Sequence, residues 1–397
     1  MKKKLTRRQF LLAMLSAGAA GITLTKTGKV LGADGPKVFL PLISGGQETP
    51  EPTPDPTPDP TPEPTLPPPG SSRVVRVHHS TVTNWTGSGN YWDYVDQAKV
   101  TAMVSAGVRA LTGKATVAEA WQAILPNYVA GEGIAIKANF NNTMDGDLPT
   151  LSNPIPHIFL PVLQGLVTRG VRQQDIWFYD VSRRIPSYFY TPIHNAYPNI
   201  KFYDRNHEAI TYTLNAQVSI PAPGGGVVVQ NIPDQLARAK YLINAPIMRN
   251  HSSAGVTLGF KNHFGSIHHP WGFHELGQIY SIPSVLRDLY KSPYIGPKTI
   301  LTLGDGIFGA LGQQDSAPQV WVNTFGDYPK SLFFAKDPVA IDCVMADFLD
   351  AEWGNLEGST DYLVLSHAAG LGTYEHVANP LANPNYTKID YQLIEQS

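Results

Sequence analysis

Cysteine is almost missing from this chain of 397 residues. With Cys343 alone, no disulfide can form within the chain, and no iron–sulfur cluster can be held by four of its own thiolates. Charge is sparse at 16% of residues and closely balanced, 30 Lys and Arg against 32 Asp and Glu, for a formal net charge of -2. A chain without a basic excess lacks the phosphate-neutralising face that nucleic-acid binding needs. Long hydrophobic runs are lacking too: the mild apolar run at residues 12–24 is too short and too rich in Ala and Gly for a membrane-spanning helix. Nor does the chain contain a G-x-S-x-G elbow, a Walker loop or an H-E-x-x-H helix. Gly224-Gly225-Gly226 falls in a predicted hairpin turn, not a phosphate loop.

The chain is instead rich in proline, with 34 residues, and much of it is concentrated near the start. Residues 1–33 read as an export signal: Lys2, Lys3 and Lys4 precede Thr6-Arg7-Arg8-Gln9-Phe10-Leu11 and then the apolar run, the pattern of a twin-arginine signal with Leu12 where lysine is common. Cleavage near Ala33 and retention as an anchor both remain open, and no nearby cysteine offers a lipid attachment point. Residues 34–72 form a linker dominated by Thr-Pro-Glu and Thr-Pro-Asp repeats. Proline fixes φ and removes donors, so this segment reads as an extended polyproline spacer outside the cytoplasm. The expected partners of this half are the twin-arginine export machinery and a membrane or cell wall.

From Arg73 to the end the pattern becomes that of a single α/β domain. Apolar, β-branched runs at 74–77, 133–138, 176–180, 200–203, 241–248, 299–303 and 331–335 read as strands. Helical periodicity covers 93–111, a capping box Thr116-x-x-Glu119 opens a further helix, and 155–167 and 338–349 also read as helices. Apolar strands alternating with helices predict a mainly parallel, doubly wound sheet with helices on both faces. Residues 211–230 break the rhythm and read as an antiparallel hairpin insertion.

The strand ends carry polar residues: His78 and His79, Lys137 and Asn139, Asp180 with Arg183 and Arg184, Asp204 with Arg205 and His207, Arg249 and His251, Asp305, and Lys336 with Asp337. Ligands of open parallel sheets bind beyond the carboxyl ends of the strands, so these residues are expected on one rim. The richest stretch is 245–275, in which Gly255, Gly259 and Gly265 suit close backbone approach better than a helix interior, and which displays Lys261, Asn262 and His263. A desolvated lysine is a base or a Schiff-base amine, and histidine shuttles protons. The following run, His268-His269-Pro270-Trp271-Gly272-Phe273-His274-Glu275, offers donors for a divalent metal, with Asp305 as a further candidate, but its spacing fits no standard signature and an aromatic-packed loop is the simpler reading. In Lys336-Asp337-Pro338 the aspartate reads as a helix N-cap, with Asp342 one turn further on.

Five segments in order, KANFN at Lys137, NAPIMRNHSSAGVTLGFKNHFGSI, LGDGIFG, KDPVAIDCV and AAGLG at Gly370, resemble the domain of unknown function 362 family over roughly residues 73–374. The resemblance implies no settled activity. Some members of that family carry a ferredoxin-like four-iron module, which one cysteine cannot supply, and others begin with a twin-arginine signal. The family's usual lysine-then-histidine is here Arg249 and His251 with Asn250 between; Lys261 and Asn262 match its second lysine motif, and Asp305, Asp337 and Asp342 its aspartates. The expected protein is therefore exported and α/β, with a rim site of Lys137, Arg249, His251, Lys261, His263 and Asp305 that acts on a small anion by acid–base chemistry. Two alternatives stand beside it: a stalk-mounted binding or sensing domain, and a metal-dependent enzyme using the loop at 268–274.

Overall fold

The computed structural model describes residues 72–143, 151–221, 226–251, 254–270, 273, 282–311, 316–354, 356, 360–382 and 384–397. The predicted signal and nearly all of the proline-rich linker lie outside the described residues, as do His274 and Glu275. All of the described residues fall within one compact unit, Thr61–Ser397.

Strands β1 (Val74–His79), β2 (Gly133–Ala138), β3 (Ile176–Tyr179) and β4 (Lys201–Tyr203) are separated by helices α1 (Gln97–Thr112), α2 (Val117–Ile124), α3 (Pro156–Thr168) and α4 (Ser187–Ala196). The antiparallel pair β5 (Gln217–Pro221) and β6 (Val227–Asn231) follows as its own two-stranded sheet. Then come α5 (Asp234–Arg238), β7 (Ala239–Ala245), β8 (Ile247–His251), β9 (Gly255–Thr257) and the single turn α6 (Gly259–Asn262). The chain ends with α7 (Ile282–Lys291), β10 (Thr299–Ala310), β11 (Ser331–Ala335), α8 (Pro338–Trp353), α9 (Asp361–Ala368) and β12 (Tyr391–Gln396). No helix among the described residues is long and apolar enough to cross a membrane.

The main sheet has the order β12-β1-β11-β10-β7-β2-β3-β4, with β8 beside β10 and β9 beside β8. All of its pairings are parallel except those of β11 with β1 and β10 and that of β8 with β9. The expected mainly parallel sheet is present. The period-two pleat sends Ile134, Ile136, Phe178, Ile243, Leu301 and Leu303 to one face, where they meet α1, α2, α3 and α4. Ala135, Tyr179, Leu242, Phe333 and Ala335 go to the other face and meet the later helices α6, α7, α8 and α9. The sheet is thus doubly wound, with the first half of the chain's helices on one face and the second half on the other.

Three sequence expectations change. The run at 241–248 is two strands, because Pro246 has no N–H to give and interrupts the ladder between β7 and β8. Strand β10 runs on through Gly304, Gly306 and Gly309 to Ala310, past the end expected at residue 303. And β11 is antiparallel, so Lys336 and Asp337 emerge at the opposite end of the sheet from the other strand ends. There Asp337 accepts the N–H groups of Val339 and Ala340, each at 2.9 Å, as the N-cap of α8.

Candidate functional site

From β2 the chain moves outward to β3 and β4, then returns to β7 on the other side of β2 and continues to β10. The order of winding therefore reverses between β2 and β7, and the crevice beyond their carboxyl ends is the place where open α/β sheets receive ligands. Lys137 of β2 and Asn244 of β7 are register partners there. The β8–β9 turn-back brings α6 over this point. Asn262 donates to Lys137 O at 2.9 Å and to Asn244 Oδ1 at 2.8 Å, while Asn244 donates to Gly259 O at 2.9 Å. The start of α6 is held from the neighbouring layer: Asp342 of α8 accepts Gly259 N at 2.8 Å, Phe260 N at 3.1 Å and the Tyr362 hydroxyl at 2.9 Å. Burial pushes the Asp342 carboxyl up to about 7.

A cavity of about 130 Å³ opens here, lined among others by Lys137, Asp180, Arg183, His251, Lys261 and Asn262. Lys137 gives its three ammonium protons to Asp180 Oδ2 at 2.8 Å, Ala138 O at 2.7 Å and Asn262 Oδ1 at 3.3 Å. Burial holds its pKa below the ordinary lysine value, and Asp180 opposes that shift. The other oxygen of Asp180 accepts Ser182 N and Arg183 N, both at 2.9 Å. Gly265 permits this pair to form: a Cβ there would sit 2.7 Å from Lys137 Cε and 2.8 Å from Asp180 Oδ2. Arg183 is fixed by Asn141, through its carbonyl at 2.9 Å and its amide oxygen at 3.0 Å.

Lys261 contributes its amine from α6, with Nζ 3.6 Å from the centroid of the Phe264 ring. Its pKa is held well below the ordinary lysine value, first by burial and then by the charges of Arg249 and Arg183. The ring face favours a cation and offsets part of that shift. Arg249 is buried in β8 opposite Thr257 of β9, close enough to Lys261 for its charge to be felt.

The six candidates from sequence separate into two groups. Lys137, His251 and Lys261 line the cavity, and Arg249 stands behind it. His263 and Asp305 do not line it. His263 is fully buried, with Nδ1 3.1 Å from Ser266 Oγ, and burial holds its pKa down to about 3, so it is a neutral packing group against Tyr290. Asp305 falls in the same pleat register as Leu303 and Ile307, towards the α1–α4 face, and accepts the N–H groups of Ile307 and Ile155. Burial pushes its carboxyl up to about 7. In their place the structure brings in Asp180 and Arg183, which the sequence shows only as strand-end residues, and the amides of Asn141 and Asn244, which carry no signal distinguishing them from other asparagines.

The loop at 268–274 is described only in part. His268 and His269 have ring centroids 4.0 Å apart, and His268 packs edge-on to Tyr212. Among the described residues no group of three His, Cys, Asp or Glu is placed to hold a metal ion.

The model of the family described as domain of unknown function (DUF362) matches residues 134–347, which contain every residue of the cavity named above. The chain belongs to the DUF362 family. Among curated proteins no match is found. Among solved structures, the chain is similar to a structural-genomics protein from Thermotoga maritima, at 10% identity and a TM-score of 0.34, covering 64% of this chain and 58% of that one. It is also similar to a lactate racemase apoprotein from Thermoanaerobacterium thermosaccharolyticum, at 11% identity and a TM-score of 0.27, covering 55% and 50%. This DUF362 chain therefore spans 58% and 50% of the lengths of these two structures.

Proposed function

We propose that the β2–β7 cavity is an enzyme site for a small anion, with Arg183 and Arg249 supplying the positive field, Lys261 supplying a neutral amine as base or nucleophile and His251 moving protons at the rim. The observation that carries this reading is the placement of the Lys261 amine in the cavity wall, with burial and two arginine charges favouring its neutral form. A neutral amine is a base and an ammonium is not, so a site built only to hold an anion gains nothing from suppressing the charge of a lysine. That argument favours turnover over a binding or sensing domain. We further propose that the domain works outside the cytoplasm, delivered by the N-terminal signal and held on the proline-rich spacer.

Anion binding is tested by thermal shift at constant ionic strength, with phosphate, sulfate and small carboxylates. A ligand at about a hundred times its dissociation constant adds about 2.7 kcal/mol to stability, and for a domain of this size that raises the melting temperature by roughly a few degrees. Wild type is expected to respond to at least one anion and Arg183→Met to lose most of that response. Because a bound anion favours the ammonium form of Lys261, the wild-type response should grow as pH falls, and Lys261→Met should flatten that dependence. No shift with any anion in the wild type would remove the basis of this reading.

A further inference from the structure

Two lysines line the cavity. Lys137 has three protons and three acceptors, Asp180, Ala138 O and Asn262, and so is a fixed cation rather than a nucleophile. Lys261 is placed by α6 with its nitrogen above a ring face, at the wall of a space of about 130 Å³. By the measure that ~10–15 Å³ admits one water, this space has room for a small acid of a few carbons. Arg183, locked by Asn141, presents a planar guanidinium of the kind that pairs with a carboxylate.

We infer that Lys261 forms a Schiff base with a small 2-oxo acid whose carboxylate lies against Arg183. This rests on the reading of the cavity as an anion site and names its substrate class. The lone pair of the Lys261 nitrogen attacks the carbonyl carbon, and the carbonyl π pair moves to oxygen. One proton passes from nitrogen to that oxygen, giving a carbinolamine. His251, as an imidazolium, then protonates the hydroxyl, which leaves as water, and the nitrogen lone pair closes the C=N bond. The balance is one oxo acid, one amine and one proton giving one protonated imine and one water.

Two features suit the product better than the unreacted amine. The iminium nitrogen carries a positive charge where Phe264 presents its ring face, an attraction that the neutral amine hardly has. The incoming carboxylate also offsets the repulsion from Arg249 and Arg183 that favours the neutral amine.

The test is borohydride trapping of the full-length protein with pyruvate or glyoxylate, followed by peptide mass spectrometry. Hydride reduces an imine irreversibly to a secondary amine, leaving one carboxyalkyl group on the lysine that reacted. The expected result is a stoichiometric adduct on the peptide bearing Lys261, at least tenfold above that on any other lysine, including Lys137. It should be lost in Lys261→Arg and reduced in Arg183→Met, with circular dichroism confirming that each variant is folded. Site assignment within the wild type keeps the test valid if a variant fails to fold. An adduct spread over surface lysines, or none at all, overturns the Schiff base. If the thermal shift with carboxylates persists in that case, the anion site stands and only the imine falls; if neither appears, both fall.

Discussion

Lys137 and Asp180 form a salt bridge with side chains only 1% and 3% exposed, and that burial sets what their replacement costs. Removing one partner of a buried pair leaves the other charge without compensation, at about 3–5 kcal/mol. Lys137→Met is therefore expected to destabilise the domain by about that amount in urea titration. The double change Lys137→Met with Asp180→Asn should recover part of the loss, and simple additivity would show that the pair is not coupled. Lys261 makes a separate pH prediction. Its folded pKa lies well below the ordinary 10.5, so between the two values the unfolded chain binds more protons than the folded one. Stability from this residue therefore rises with pH across that window, and wild type should gain on Lys261→Met as pH rises towards 10. Asp305 behaves oppositely. Its folded pKa of about 7 exceeds the ordinary 3.8, so its contribution is fully present below 3.8 and is lost as pH rises through about 7. Asp305→Asn keeps an acceptor for Ile155 and Ile307 and should raise the melting temperature at pH 8 while changing it little at pH 4, with the anion response unaltered.

At the scale of elements, the sequence shows which runs are strands and helices but not every direction or end. β2 and β11 appear in it with the bounds they have in the structure, because both are short apolar runs with abrupt polar ends. The direction of β11 is not legible, since alternation reads the same from either end, and Lys336 and Asp337 are thereby misplaced. β10 is cut short in sequence by its glycines, yet each fits a crowded face: a Cβ at Gly304 would meet Met345 Sδ at 2.4 Å, and one at Gly309 would meet Trp321 at 2.4 Å. α4 is missed because Pro192 lies inside it, and α6 because one turn among glycines has no periodicity to detect. In the candidate site, Lys137, His251 and Lys261 could be found because ionisable residues are rare in this chain. Asp305 and His263 were misleading because rarity signals a role without saying whether it is burial or chemistry. The device that places Lys261 belongs to this scale too. Asp342→Ala would leave Gly259 N and Phe260 N buried without their acceptor, at about 1–3 kcal/mol. The expected outcome is a lower urea midpoint together with loss of Lys261 trapping, whereas Asp342→Asn, which keeps an acceptor, should restore much of both.

At the scale of the domain, its first and last strands lie side by side. β1 lies between β11 and β12, pairing Val74 through His78 with the former and Val74 through His79 with the latter. Arg73 adds an ion pair to Asp390 at 2.7 Å, and Ser72 donates to Lys388 O at 2.8 Å. The start and finish of the domain are thus tied side by side through β1. Residues 1–71 lie outside the described residues and read in sequence as signal and spacer, whose proline repeats suit an extended chain better than a core. A chain beginning at Ser71 should therefore melt at the same temperature as the full protein and keep its anion response, and limited proteolysis of the full protein should stop near that point. A chain beginning at Ser80 loses β1 and with it the buried side chains of Val74, Val75, Arg76 and Val77. It also leaves β12 without its partner, and β11 with one neighbour instead of two. Fully burying each valine is worth about 1.5–3 kcal/mol, so three of them together rival the whole stability of an ordinary domain, about 5–15 kcal/mol. That shorter chain should fail to fold. If it melts cooperatively near the wild-type temperature, β1 is dispensable and the domain boundary lies further into the chain; if the chain from Ser71 is itself unstable, the spacer is part of the fold. Export is separable from both outcomes: Arg7→Lys with Arg8→Lys should leave the protein in the cytoplasm with its melting temperature unchanged, and normal export of that variant would reject the twin-arginine route while leaving the closure of the sheet intact.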